Sequence, residues 1–171
     1  NEAVDAAKEK GMKVIILDHH EARILNGEQF LPEADVVIDP HITEADFEDY
    51  CGAGLAYRFM REVFAKKRRP ADLNGIMSSM IALAAVGTIG DSVTMKAEIR
   101  FLVRRGMEQI EQRRVSTGLA LLLEEMELSD TLSVEDIAYS LVPAINAFGR
   151  LEDEGSRKVA ALLSYNGRKS D

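Results

Sequence analysis

The tripeptide Asp18-His19-His20 has the side chains best suited to chemistry in this sequence. It follows the β-branched run Met12–Leu17, which is typical of a buried parallel strand. A carboxylate and two imidazoles offer oxygen and nitrogen ligands to a divalent metal. Because neighbouring side chains on an extended chain point in opposite directions, we expect one histidine to bind the metal, the other to face a substrate and Asp18 to orient them. The alternative is a polar strand end with solvated histidines.

A second candidate ligand, Asp91, stands at the end of the apolar segment that spans residues 84–91. The pattern predicts a helix that ends at Val86 and a loop over Gly87–Asp91. Gly87 and Gly90 would let the backbone of this loop come close to a metal or a phosphate, because glycine has no Cβ. The alternative is an ordinary helix end with Asp91 in a turn.

Two other segments could bind phosphate. Residues 143–151 begin with a proline and predict a loop, in which Asn146 and the bidentate guanidinium of Arg150 would contact phosphate oxygens. Cys51-Gly52-Ala53-Gly54 precedes a predicted helix, whose exposed backbone amides would suit an anion. The alternatives are a capped connection between helices and close helix packing, with Cys51 as a small buried residue.

The elements that must position these residues predict a helix-rich α/β domain. Helical periodicity and capping residues predict helices over residues 3–10, 52–67, 73–86, 95–106, 118–126, 134–140 and 156–165, with N-caps at Asp72 and Ser133. Strands are predicted over 12–17 and 34–39, with a loop over 21–32 between them. Polar residues at the carboxyl end of a parallel strand lie where ligands bind in such sheets. Because two short strands are a poor base for a doubly wound domain, we expect a remnant of a parallel sheet whose earlier strands precede residue 1.

Composition narrows the class of protein. A net charge of -8 argues against a simple basic nucleic-acid binder, although a nuclease site built from carboxylates is itself acidic. The basic clusters at residues 66–69 and 113–114 are interpreted as helix ends that face water. The most apolar run, residues 80–89, is shorter than the ~20 residues that span a bilayer, so no membrane partner is expected. The single cysteine, Cys51, excludes an internal disulfide and favours a reducing, cytoplasmic location.

Taken in order, these segments resemble the RecJ branch of the DHH phosphoesterase family, over nearly the whole chain. Residues 14–21 resemble the motif that names the family, residues 31–40 the segment that follows it, and residues 52–56 a helix start of the RecJ branch. Residues 83–91 resemble a motif that ends in a metal-binding aspartate. Residues 143–150, Pro-Ala-Ile-Asn-Ala-Phe-Gly-Arg, resemble the motif Pro-Arg-Ile-Asn-Ala-Ala-Gly-Arg.

The resemblance implies a phosphodiesterase with two metal ions, Mn²⁺ or Mg²⁺, that degrades single-stranded DNA from the 5′ end in DNA repair and recombination. By this resemblance His19 and Asp91 would be metal ligands. His20 would lie near the scissile phosphate and Asp18 would support the histidines. A metal-activated water would attack phosphorus in line while the second metal stabilises the leaving oxygen.

The later motif implies contacts with DNA and shows departures. Asn146 and Arg150 would contact the nucleic-acid backbone or its phosphate. Ala144 stands where the RecJ branch usually has arginine, which removes one phosphate contact and leaves room for a divergent substrate. Gly90 and Thr94 replace the commoner alanine and proline.

Residues 1–171 are therefore predicted to be part of a DHH domain. The two opening carboxylate motifs of the family, its DHH-associated domain and its OB-fold domain have no counterpart in the sequence, so we expect the chain alone to bind metal weakly and to lack nuclease activity. One alternative is another DHH phosphoesterase: a nanoRNase, a cyclic-dinucleotide phosphodiesterase or an inorganic pyrophosphatase. Two others are a non-catalytic DHH scaffold and a plain helical interaction domain.

Overall fold

Helices make up most of the structure, a computed structural model that describes residues 2–42, 49–67, 70–128, 131–151 and 154–168. The elements in chain order are α1 (Glu2–Glu9), β1 (Ile15–Leu17), β2 (Arg23–Leu25), β3 (Glu28–Phe30), β4 (Val36–Ile38), α2 (Gly52–Lys66), α3 (Leu73–Gly90), α4 (Ala97–Glu111), α5 (Thr117–Glu125), α6 (Val134–Asp136), α7 (Val142–Leu151) and α8 (Gly155–Ser164). A π-helical turn, Ile137–Leu141, joins α6 to α7. The predicted helix-rich α/β class is confirmed.

The two predicted strands pair as a parallel sheet. Residues Ile15, Ile16 and Leu17 of β1 lie opposite Val36, Val37 and Ile38 of β4. The pairing continues one residue further, because the backbone N–H of Asp18 donates to the carbonyl of Ile38 over 3.0 Å. Both strands have only three residues and are shorter than predicted. The last residue of each strand packs against the core, so the polar residues that follow β1 leave the sheet at a fixed point.

The segment between these strands is a β-hairpin rather than the predicted loop. Strands β2 and β3 pair antiparallel, with Leu25 opposite Glu28. Asn26 and Gly27 form the turn with φ of 54° and 86°. An Asn-Gly pair with positive φ at both positions is the preferred two-residue hairpin turn, since it matches the twist of the strands. The signal was present in the sequence and was missed.

Helix α3 is the centre of the core and packs against both α2 and α4. Its residues Ala82, Ala84 and Ala85 are almost completely buried. The predicted N-cap is confirmed, because the Asp72 carboxylate accepts from the backbone N–H of Gly75 over 3.2 Å. A helix that is apolar nearly all round is buried in a fold, which explains the central position of α3. The small side chains of α3 let its neighbours approach closely.

The same helix, α3, has 18 residues and extends beyond the apolar run 80–89 at both ends. Within the described ranges it is the one helix whose length and composition would suffice to cross a bilayer. The core helix of a soluble protein meets the same criterion, and the packing of α3 between two other helices agrees with that role.

Two predicted loops are helical. Residues 87–90 form the last turn of α3, with Asp91 as its C-cap. Residues 143–151 belong to α7, although Pro143 was expected to begin a loop. The π-helical turn before Pro143 lets the chain continue as a helix past a residue that has no N–H to donate. Asn146 and Arg150 are therefore fixed on a helix one turn apart, not held in a loop.

Candidate metal and phosphate site

The end of β1 places Asp18 beside His20. The Asp18 carboxylate lies 2.7 Å from Nδ1 of His20 and accepts from the backbone N–H groups of His19 and His20 over 2.8 and 3.3 Å. The hydrogen bond with His20 lowers the pKa of Asp18, and the same bond raises the pKa of His20. Asp18 therefore contacts both histidines, but in different ways. It hydrogen-bonds to the ring of His20, whereas at His19 it accepts only from the backbone N–H.

The ring of His19 faces Asp91 instead. Nδ1 of His19 lies 3.9 Å from Oδ2 of Asp91, which is too long for a hydrogen bond. Asp91 is held in place by its backbone, whose N–H donates to the carbonyl of Gly87 over 2.9 Å. An imidazole nitrogen and a carboxylate oxygen at this separation are the kinds of donor that a divalent cation accepts.

His19 and Asp91 line a cleft of about 410 Å³ formed by β1, α2, α3 and α7. Asn146 of α7 lines the same cleft. The structure therefore brings three of the predicted site residues together. Asp18 and His20 stand beside the cleft and are not among its lining residues, and Arg150 is exposed one turn beyond Asn146 on α7.

The glycines around this cleft allow close packing of its walls. A Cβ at Gly87 would lie 2.6 Å from the Cβ of Ala53, and a Cβ at Gly90 would lie 3.1 Å from both methyl groups of Val142. Both glycines line the cleft. Because Gly87 and Gly90 have no side chains, α2 and α7 can pack closely against the end of α3. The sequence analysis did not predict this packing role for the two glycines.

The segment that precedes α2 forms the wall behind His19. The expectation of a small buried Cys51 is confirmed, since its side chain is 2% exposed. Its Sγ caps α2 by accepting from the backbone N–H of Gly54 and lies 3.3 Å from Oγ1 of Thr88 on α3. Directly after it, a Cβ at Gly52 would lie 3.6 Å from Cδ2 of His19. The start of α2 thus lies directly beside the imidazole ring.

The sequence analysis did not identify the side chains that hold the start of α2 in place. Arg58 of α2 donates to the hydroxyl of Tyr50 over 2.7 Å and also to the carboxylate of Glu98 on α4. The pKa of Tyr50 is raised to about 12, chiefly by burial; the Glu98 carboxylate also raises it, while the Arg58 guanidinium lowers it. No local pattern links all three residues, because Tyr50 and Arg58 lie just before and within α2 whereas Glu98 lies on α4.

Ala144, the departure from the family motif, does not line the cleft. It lines a separate apolar pocket between α5, α7 and α8, together with Phe148. The idea that Ala144 leaves room for a different substrate therefore applies to this second pocket.

The donors fit a divalent metal in part. His19 and Asp91 supply one nitrogen and one oxygen at the cleft. No group of three or more histidine, cysteine, aspartate or glutamate side chains is placed to hold a metal ion within the described ranges. The chain can therefore contribute ligands to a metal centre but supplies fewer than the four to six donors that such centres use.

The chain is similar to members of one protein family. Residues 1–88 match the DHH family, N-terminal domain. The chain is 32% identical to the single-stranded-DNA-specific exonuclease RecJ of Escherichia coli strain K12 over 95% of its own length and 29% of that protein. It is 31% identical to the RecJ of Thermus thermophilus over 91% of its length and 21% of that protein.

A solved structure has the same fold. The crystal structure of exonuclease RecJ bound to manganese superimposes with a TM-score of 0.75 at 27% identity, over 95% of this chain and 38% of that one. The chain spans less than a third of the length of the curated relatives described above.

Proposed function

The chain belongs to the DHH family, and on that premise we propose that it forms part of the catalytic domain of a metal-dependent 5′→3′ single-stranded DNA exonuclease. The observation that carries the proposal is the meeting of His19, Asp91 and Asn146 at one cleft. Its two metal-type donors and one amide are suited to a phosphodiester held beside a cation. The RecJ relatives support single-stranded DNA as the substrate.

We propose that His19 and Asp91 hold a divalent metal, manganese or magnesium. When bound, this metal would activate a water molecule and neutralise charge on the phosphate. The carboxylate of Asp91 would balance part of the cation's charge, and the start of α2 at Gly52 lies beside the His19 ring.

The remaining residues would bind the DNA strand. His20, protonated more readily because of Asp18, would donate a hydrogen bond to an oxygen of the scissile phosphate. Asn146 would donate its amide N–H to a neighbouring phosphate. Arg150 lies one helical turn further on the same side of α7, where it would contact the strand as it leaves the cleft.

We also propose that residues 1–171 do not hydrolyse DNA by themselves, because the described residues supply only two donors at the cleft. Isothermal calorimetry with Mn²⁺ on this chain should show weak binding. Tight binding at two sites would contradict this proposal.

The test is Mn²⁺-dependent digestion of 5′-labelled single-stranded DNA by the full-length protein. The variant His19→Ala/Asp91→Ala should lose stepwise 5′ degradation, whereas Arg104→Ala, an exposed change on α4, should retain it. Hydrolysis of short RNA or cyclic dinucleotides in place of DNA would assign the protein to another DHH activity. Inertness toward all of these substrates would favour a non-catalytic scaffold.

A further inference from the structure

A second pocket lies between α5, α7 and α8. It has a volume of about 260 Å³ and is lined almost wholly by apolar atoms from α5, α7 and α8. Its most accessible aromatic group is Phe148, which is 56% exposed. Lys158 of α8 also lines it and adds a positive charge. An exposed aromatic ring beside a cation is an arrangement suited to a ligand that is planar on one side and anionic on another.

Two departures from the family motif meet in this pocket. In the motif Pro-Arg-Ile-Asn-Ala-Ala-Gly-Arg, this chain has Ala144 in place of arginine and Phe148 in place of alanine. The two positions are four residues apart on α7 and so lie on one face of the helix. Together the changes remove a long charged side chain and add an aromatic ring, which leaves an open pocket with an aromatic wall.

The pocket adjoins the metal and phosphate cleft. Ile145 lines both cavities, so a single side chain separates them. The next residue, Asn146, lines the cleft. A strand whose phosphate contacts Asn146 therefore has its neighbouring base within reach of Phe148, across Ile145.

We propose that this pocket binds a nucleobase of the single-stranded substrate, stacked on Phe148, with Lys158 near the adjoining phosphate. The proposal rests on the proposed function, since it names where that substrate places a base. Stacking on an aromatic ring is tolerant of sequence because every base has a π face. Such a subsite would let an exonuclease hold each successive nucleotide without reading its identity.

The experiment measures binding of labelled single-stranded DNA to the full-length protein without divalent metal, so that no strand is cut. Intact oligonucleotides are compared with strands that carry one abasic nucleotide at successive positions from the 5′ end. Phe148→Ala should weaken binding of the intact strand about tenfold, a typical loss for one stacked base. At one abasic position, wild-type protein should bind as weakly as Phe148→Ala, and the variant should lose nothing more.

Three further variants sharpen the test. Phe148→Tyr keeps the aromatic face and should bind as wild type does. Ala144→Arg refills the pocket and should reduce the discrimination between intact and abasic strands. Tyr139→Ala removes an aromatic side chain that is 81% exposed before α7 and should have no effect.

The outcomes separate this subsite from the proposed function. If wild-type protein degrades single-stranded DNA but binds intact and abasic strands equally well at every position, or if Phe148→Ala binds the intact strand as tightly as wild type does, the subsite is wrong and the exonuclease function stands. If Phe148→Ala instead lowers thermal stability or changes the oligomeric state, the pocket belongs to another protein segment or a second copy, and the base subsite is rejected. If wild-type protein neither binds nor degrades single-stranded DNA, both proposals fall.

Discussion

His19 and Asp91 face each other across the cleft with Nδ1 and Oδ2 3.9 Å apart, although one follows a strand and the other ends a helix. Their separation depends on α2, which lies between the two elements. Gly52 of α2 stands behind the imidazole, and Ala53 packs on Gly87 one turn before Asp91. The contact between α2 and α3 therefore sets the geometry of the two donors.

Removing either donor should abolish metal-dependent hydrolysis. His19→Ala and Asp91→Asn in the full-length protein should each lower the Mn²⁺ affinity and the rate of DNA cleavage by more than about 100-fold, since a direct ligand matters at least as much as a group that orients one. Calorimetry with Mn²⁺ and single-turnover cleavage check the two effects. Circular dichroism should show unchanged helix content. Full activity in either variant would remove that residue from the metal centre.

Most side chains with local signals were found in the sequence, with the Asn26-Gly27 turn as an exception, and those that depend on distant contacts were not. The cap at Asp72 and the polar end of β1 follow from neighbouring residues, and the structure confirms both. Gly87 and Pro143 were interpreted as helix breakers. In the structure Gly87 serves a helix contact with Ala53, and a π-helical turn accommodates Pro143. Such packing is set by tertiary structure, which overrides local propensity.

The pairing of His19 with Asp91 was expected from the family resemblance alone. No periodicity or spacing relates the two residues, because α2 and most of α3 separate them in the chain. The contacts of Arg58 with Tyr50 and Glu98 likewise follow no sequence pattern. Long-range polar contacts of this kind become visible only in the folded structure.

A methyl group at Gly87 should separate α2 from α3. Gly87→Ala places a Cβ 2.6 Å from that of Ala53, so overpacking should cost about 1–3 kcal/mol, beyond any gain in helix propensity. Gly90→Ala is the matched control, because its Cβ would meet only side-chain methyls of Val142 at 3.1 Å. Urea denaturation should show a clear loss for Gly87→Ala and a small change for Gly90→Ala. Equal losses would contradict the packing role of Gly87.

Tyr50 should make stability fall at alkaline pH. Its pKa is raised from 10.0 to about 12, chiefly by burial. A group whose pKa is higher in the folded state stabilises the fold below its unfolded pKa, and this contribution is lost as pH rises through the folded value. The free energy of unfolding should therefore drop between pH 10 and 12. Tyr50→Phe should remove this drop, whereas Tyr139→Phe, at an exposed position, should keep it. A drop that persists in Tyr50→Phe would contradict the assignment.

The hydrogen bond between Asp18 and His20 should be visible by titration of the metal-free protein. Because the Asp18 carboxylate raises the pKa of His20, Asp18→Asn should lower that pKa toward its ordinary value. The imidazolium of His20 would then be lost at lower pH than in wild type. Proton NMR of the ring hydrogens measures this directly. An unchanged His20 pKa would show that the two side chains do not interact in solution.

Arg150 should contribute to DNA binding through charge alone. It is exposed on α7 beyond Asn146, where its guanidinium would meet phosphates and not bases. Arg150→Ala in the full-length protein should weaken binding of every single-stranded sequence by a similar factor. Each phosphate contact on a single strand contributes about 0.7 to the slope of log affinity against log salt concentration. The variant's slope should therefore be shallower by about that amount.

Arg157→Ala is the matched control for Arg150→Ala, because Arg157 is an exposed arginine of α8 that already pairs with Glu154. Its loss should leave the salt dependence of DNA binding nearly unchanged, since its charge is largely balanced within the protein. Titrations of one labelled strand at several salt concentrations distinguish the two variants. Equal slopes for Arg150→Ala and wild type would mean that the strand does not follow α7 as it leaves the cleft, and the path proposed for it beyond Asn146 would be wrong.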